Sequence, residues 1–334
     1  MAKWGISEQA AALHAQAVIW DMILPWQIGL YPKEGVLKRF KDAGVDFLGL
    51  TVADDRHFRD ETIVDISHIV AHLEKEEGVI LVRTVEDILK AKQAGKLAVG
   101  LNFQGTNPFQ RDLAMVKVFY DLGVRHALLA YNIKNMVTDG CHELTDGGLS
   151  RFGINLIKEM NRVGMIVDLT HTGYRGSMEA MELSTAPCIF SHSNARAVHE
   201  HERNIRDDQI KACAKTGGVI GVVGFGAFMA KNFDASLDSL VRHIEYIVNL
   251  VGPSHVGLGI DHIYFGEAMA KLAQTHQIWP DGKGYPTNNK WDDTFPPEDF
   301  PRLTETLLKR GHSEADVKGI MGENFLRVCR QVWK

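Results

Sequence analysis

Eight short apolar runs, separated by helical patterns, constrain the fold of this 334-residue chain more than any other feature. They are AVIWDM (17–22), VDFLGLTV (45–52), LAVGLNF (97–103), RHALLAY (125–131), MIVDLTH (165–171), PCIFSH (187–192), GVIGVVG (218–224) and HVGLGID (255–261). Strands covered on both faces lose the polar–apolar alternation of half-exposed strands and read as continuous hydrophobic stretches. Between them lie segments such as EDILKAKQAG, INLIKEMNRVG and LDSLVRHIEYIVNLVG, with apolar residues three and four apart. The last ends in glycine, a common helix stop. Eight such alternations predict an α/β chain closed as one (β/α)8 TIM barrel over 1–334, a normal length for a barrel with loop insertions. No low-complexity linker or short-period repeat interrupts it. The stretch 264–300, after the eighth run, carries Trp279, Trp291 and several Pro and Gly. A loop of that length is expected to be a lid or an interface.

Composition narrows the partners. Apolar residues make up 45% and charged residues 24%, enough for a large core. A net charge of −5 with mixed signs gives no basic face, which argues against nucleic acid. Cys141, Cys188, Cys213 and Cys329 are scattered without a CxxC pair and read as free thiols of a reducing compartment. No stretch has the length and apolarity of a secretory signal or a membrane span, so a cytoplasmic protein without a membrane partner is expected.

Active sites of such barrels lie at the C-terminal ends of the strands. Reading the residues there gives Asp21, Gln104, Tyr131, His171, His192 and Asp261. A single strand-end histidine is ordinarily a hydrogen-bonded structural group. Two on consecutive strands, with an aspartate on a third, form a constellation suited to hydrolysis: neutral imidazoles offer lone pairs to a metal, and a carboxylate takes a proton from its water. His243, inside a helical pattern, reads as structural. His199 and His201 read as solvated loop residues, and Asp54 and Asp55 as a turn and helix cap. Trp26, Trp279 and Trp291 suit a pocket wall or core and lid packing equally.

At these residues the sequence resembles the membrane dipeptidase (renal dipeptidase) family, peptidase family M19. The matching segments run along nearly the whole chain: GGLSRFGINLIKEMNRVGMIVDLTH, APCIFSHSNARAVHEHERNIRDDQI, HIEYIVNLVGPSHVGLGIDH and GIMGENFLRV. The resemblance implies a (β/α)8 barrel and dipeptide hydrolysis at a two-zinc centre. By position, it makes His171 and His192 ligands of the second metal and Asp261 the catalytic aspartate that shuttles the water's proton. It also makes Arg203, with its neighbour Asn204, the binder of the substrate's carboxylate, a task that suits a guanidinium fork.

Four positions depart from the family pattern. Registered on Leu24-Pro25, Asp21 stands where the family has His, and Ile23 where it has Asp. Gln104 replaces the bridging Glu, and Tyr131 replaces the His that polarises the scissile carbonyl. Ile23 cannot bind an ion, and neutral Gln104 cannot offset the repulsion between two. A two-metal centre is therefore not expected. What remains is one divalent ion, zinc by ligand type, on His171 and His192 with Gln104 and Asp21 as weak additional ligands, or no metal at all. Three readings stay open: a metal-assisted hydrolase of a dipeptide or other small amide, with Asp261 and Tyr131 catalytic; a barrel enzyme of changed acid–base chemistry on a small metabolite; and a non-catalytic small-molecule binder. A homodimer using 264–300 is compatible with each.

Overall fold

The computed structural model describes residues 3–26, 35–287 and 290–334. Its strands are β1 (Trp20–Pro25), β2 (Phe47–Asp54), β3 (Val79–Leu81), β4 (Leu97–Gln104), β5 (Val124–Leu128), β6 (Ile166–Asp168), β7 (Ile220–Val222) and β8 (Val256–Leu258). β1, β2, β4, β5 and β6 pair in that order, and β7 pairs β8, all parallel. The sixth apolar run joins these two sheets through single bridges, Asp168 to Ile189 and Phe190 to Ile220. The ring closes where Asp261 N donates to Ile23 O (3.2 Å) and Ile260 N to the Asp21 carboxylate (2.8 Å). The fold is therefore an α/β TIM barrel, as the runs imply. β3 is additional: a three-residue strand on the first residues of β4, partly exposed where the other three-residue strands are buried.

Glycines allow the closest approaches in this ring. A Cβ on Gly221 or Gly259 would sit 2.0 or 1.9 Å from the carbonyl oxygen of Ser191, so only a hydrogen fits there. Outside the ring, helices bury one face each. Leu237–Val251, capped by Ser236 on Ser239 N, covers Leu240, Val241, Ile244 and Ile247. Beneath the barrel, Trp20 stacks on Phe47 with centroids 3.8 Å apart.

Two local features position the site. First, β1 carries an extra residue: Asp21 is level with Leu48 but Leu24 with Leu50. A bulge of this kind re-aims side chains, and Asp21 points at β8. Second, the fourth, fifth and eighth apolar runs leave the ladder three residues before their ends. The chain then turns through left-handed backbone at Asn132 (φ 60°), His171 (φ 64°) and Asp261 (φ 56°). Such conformations cost about 1 kcal/mol or more for residues with a side chain and concentrate at functional sites.

The stretch 264–300 is not a plain loop. It holds a helix, Gly266–Thr275, and short turns at Lys290–Asp292 and Pro297–Asp299; residues 288 and 289 fall outside the described residues. Its Phe265, Met269, Ile278, Trp279 and Trp291 join Phe225 and Phe228 in an aromatic cluster capping the barrel mouth. Among the described residues no helix is long and apolar enough to cross a membrane.

Candidate functional site

The barrel mouth opens into a pocket lined by Thr51, Gln104, Tyr131, His171 and Asp261 on the strand side, and by Phe225, Met269, Trp279 and Trp291 on the other. Four of the six strand-end residues singled out above therefore face one space. His192 is buried behind His171, and Asp21 is buried beside β8.

His171 and His192 converge. Their Nε2 atoms are 3.1 Å apart. The far nitrogens are held: His171 Nδ1 lies 2.6 Å from Asn132 Oδ1, and His192 Nδ1 lies 2.8 Å from Ser191 Oγ. Burial, and then the nearby Arg203 guanidinium, hold both rings well below the usual histidine range, so both are neutral at pH 7. Tyr131 stacks on His171 (4.1 Å, 23°), and its hydroxyl accepts from Trp279 Nε1 at 3.3 Å. Burial and the neighbouring Asp261 raise that phenol above its ordinary range, so it keeps its proton.

Two buried carboxyls are raised above their ordinary range. Burial pushes Asp261 up to about 6, against the pull of Arg203. Burial pushes Asp21 up to about 7, with Asp261 adding to it and two backbone N–H donors opposing. Asp21 Oδ1 accepts from Ile260 N (2.8 Å) and Ile23 N (3.3 Å), whereas Oδ2 is buried with no partner among the described residues. Gln104 donates to Thr51 Oγ1 (3.2 Å), which donates onward to Asn102 (2.8 Å).

Arg203 and Asn204 line a different, polar pocket with Glu202, Arg206 and Lys283, and His171 is part of both walls. Arg203 is buried. Its Nε lies 3.1 Å from His171 Nδ1, it donates to Ser193 Oγ (3.3 Å) and to His192 O (2.7 Å), and among the described residues two of its four terminal N–H groups remain for another acceptor. Asn204 turns its amide nitrogen to the carbonyls of His199 and Phe228, each at 2.8 Å.

Several expectations change. Asp54 and Asp55 do start a turn, with Arg56 N donating to Asp54 Oδ1 (2.8 Å), but neither caps the next helix, Arg59–Leu73, which starts after Phe58. Asp54 instead lines the pocket; against the push of burial, Arg56 and His57 hold it below the carboxylate range. Asp55 accepts from Thr106 N, Asn107 N, Tyr131 N and Asn135 Nδ2, tying three loops together. His201 is buried against Phe228 and is not solvated. His243 bonds Met229 O (2.9 Å) inside a helix–barrel contact, matching its structural reading. The residue missed was Asn132: it is fully buried, follows Tyr131, and touches His171 directly. Its only sequence signal is an asparagine just past a strand end, the side chain that best tolerates left-handed backbone.

Among the described residues, no three His, Cys, Asp or Glu side chains converge on one point. Toward a second ion, Ile23 offers no ligand atom and the Gln104 side chain no charge. A single ion fits in one respect, because two neutral imidazoles face one another with both far nitrogens held by hydrogen bonds, the arrangement that fixes ligating histidines.

The chain matches the family described as "Membrane dipeptidase (Peptidase family M19)" over residues 52–277 and 282–334. Dipeptidase verJ of Clonostachys rogersoniana is 30% identical over 89% of this chain and 74% of its own. An uncharacterized dipeptidase of Schizosaccharomyces pombe is 34% identical over 71% of this chain; the match spans about half (53%) of that longer relative. Among solved structures, an amidohydrolase from Pseudomonas aeruginosa is 33% identical, with a TM-score of 0.88 over 97% of this chain and 99% of that one. A metallo peptidase from Rhodobacter sphaeroides, liganded with a phosphinate mimic of the dipeptide L-Ala-D-Ala, shares the fold at 19% identity and a TM-score of 0.72 over 89% of this chain and 90% of that one.

Proposed function

The chain belongs to the membrane dipeptidase family, peptidase family M19; from that premise we propose that it is a dipeptidase-like hydrolase that cleaves a dipeptide or other small carboxylate-bearing amide at a centre holding one divalent ion. The observation that carries this is the facing Nε2 pair of His171 and His192, beside a pocket also lined by Asp261 and Tyr131. These two imidazoles would hold the ion, zinc by ligand type, which when bound supplies Lewis acidity and an acidic water. Gln104 and Asp21 add at most weak oxygen ligands.

The chain's own groups do the rest. Asp261, at about 6, is largely ionised at pH 7 and close enough to neutrality to take a proton from water and return it to the leaving amine. Tyr131 accepts from Trp279 and so keeps its own hydrogen to donate to the carbonyl oxygen as negative charge builds there. Arg203 holds the substrate carboxylate with its two remaining N–H groups. Phe225, Met269, Trp279 and Trp291 exclude water and receive an apolar side chain. Buried, unpaired Cys188, Cys213 and Cys329 suit a reducing compartment, and we assign the protein to the cytoplasm.

Two observations favour a second reading, acid–base chemistry without metal. Ser191 Oγ can donate to His192 Nδ1, leaving His192 Nε2–H to donate to His171 Nε2, so the pair is satisfied by a proton alone. The cationic Arg203 beside His171 also disfavours a cation there. Assay of a dipeptide panel with and without added zinc tests the leading reading. Cleavage that rises with zinc and falls at least about 100-fold in Asp261→Asn supports it. No cleavage of any dipeptide, zinc present, overturns it.

A further inference from the structure

The stretch after β8 touches the barrel at two consecutive residues, and both of these touch His171. Trp279 donates to the hydroxyl of Tyr131, whose ring lies on His171. Asn132 Nδ2 donates to the carbonyl of Ile278 (2.9 Å) and to the hydroxyl of Tyr285 (3.0 Å), while its Oδ1 lies 2.6 Å from His171 Nδ1. Residues 276–287 thus form a strap across the mouth. It is fastened further by Tyr285 to His142 Nε2 (3.0 Å) and by Lys283 to Glu202 (2.8 Å), which also bonds His142 (2.9 Å).

The chemistry of an amide makes these contacts directional. Ile278 O can only accept, so the NH2 end of Asn132 faces the strap and its oxygen faces His171. That oxygen can only accept as well, so His171 carries its proton on Nδ1 and presents an Nε2 lone pair to His192. Arg203 Nε lies 3.1 Å from the same Nδ1, and a guanidinium can only donate. The two neighbours therefore demand opposite tautomers of one ring. Asn132 prevails while the strap holds its amide. With the strap away, the amide loses both acceptors, Arg203 donates to Nδ1, and the imidazole proton moves to Nε2.

We propose that the 276–287 strap sets the tautomer of His171 through Asn132, a positioning residue, so that the Nε2 lone pair is presented only over a closed pocket. With the proton on Nε2, His171 donates to His192 Nε2 and offers no working lone pair there. The inference rests on His171 being the working imidazole, but its readout needs no catalysis.

The test is imidazole 15N NMR on the full chain after chelator treatment, with His171 assigned through His171→Gln. Wild type is expected to show Nδ1–H at His171. The Lys283→Ala/Tyr285→Phe double variant removes two fastenings and is expected to show faster hydrogen exchange across 276–287 together with a majority of Nε2–H. In Asn132→Asp the carboxylate still accepts from Nδ1–H without holding the strap, so faster strap exchange with an unchanged tautomer is expected. A double variant whose strap loosens while His171 keeps Nδ1–H overturns the proposal, and so does one whose strap exchanges no faster. A chain that cleaves no dipeptide would sink the proposed function and leave this readout intact.

Discussion

Replacing Asp21 with asparagine is expected to raise the melting temperature of the chelated protein at pH 8 and to do much less at pH 5. Burial, together with the charge of Asp261, lifts Asp21 from the ordinary 3.8 to about 7, and its Oδ2 has no partner among the described residues. A carboxyl raised in the folded state costs nothing below pH 3.8, where both states are protonated. Its cost grows as pH climbs, because the unfolded chain releases a proton that the folded chain keeps, and it levels off above about 7. At ~1.4 kcal/mol per pH unit, the full cost is about 4 kcal/mol at pH 8 and less than half of that at pH 5. Asparagine keeps the shape and the acceptor for Ile260 N and Ile23 N, and it cannot ionise. For a chain of this size, unfolding entropy near 0.7 kcal/mol/K makes each kcal/mol worth roughly 1.4 °C. Scanning calorimetry should therefore show a gain of about 6 °C at pH 8 and about 2 °C at pH 5. An unchanged or lower melting temperature at pH 8, or an equal gain at both pH values, would refute the reasoning and show that Asp21 is ionised and partnered.

Other outcomes follow from the same geometry. Hydrolysis should rise with pH through about 6, because Asp261 must lose its proton to act as base; kcat/KM measured from pH 4.5 to 8 checks this, and a flat profile contradicts it. Tyr131→Phe keeps the ring on His171 and removes only the hydroxyl, so kcat should fall about 100-fold with little change in KM. Arg203→Met leaves His192 O and Ser193 Oγ without their buried donor, and urea titration should show a loss of about 2–4 kcal/mol. Gly259→Ala drives a methyl to 1.9 Å from Ser191 O, and soluble, folded protein should be largely lost on expression.

The barrel was legible because its strands are buried on both faces and so appear as apolar runs. β3 was not, because none of its residues is fully buried and Ile80 turns partly to solvent. The helix Gly266–Thr275 was hidden because GEAMAKLAQT buries only Gly266 and Met269. At the candidate site, counting to the end of each run picked out Gln104, Tyr131, His171 and Asp261, and the fold brings these four to one pocket. The chain turns left-handed beyond the ladder at three positions, a backbone property that residue type only hints at. Asn132 and Asp55 escaped for that reason: their work is hydrogen bonding across loops far apart in sequence. The strand-end rule also could not say that Arg203 and Asp261 line different pockets on two sides of His171, since that depends on how the loop after His192 folds back.

The central claim, a family barrel whose paired-metal centre has been reduced to one ion on two histidines, is tested most directly by metal content. Protein purified without chelator and supplied with zinc, then analysed by inductively coupled plasma mass spectrometry, should carry about one equivalent per chain, lost in His192→Ala. Two equivalents, or none, would contradict it.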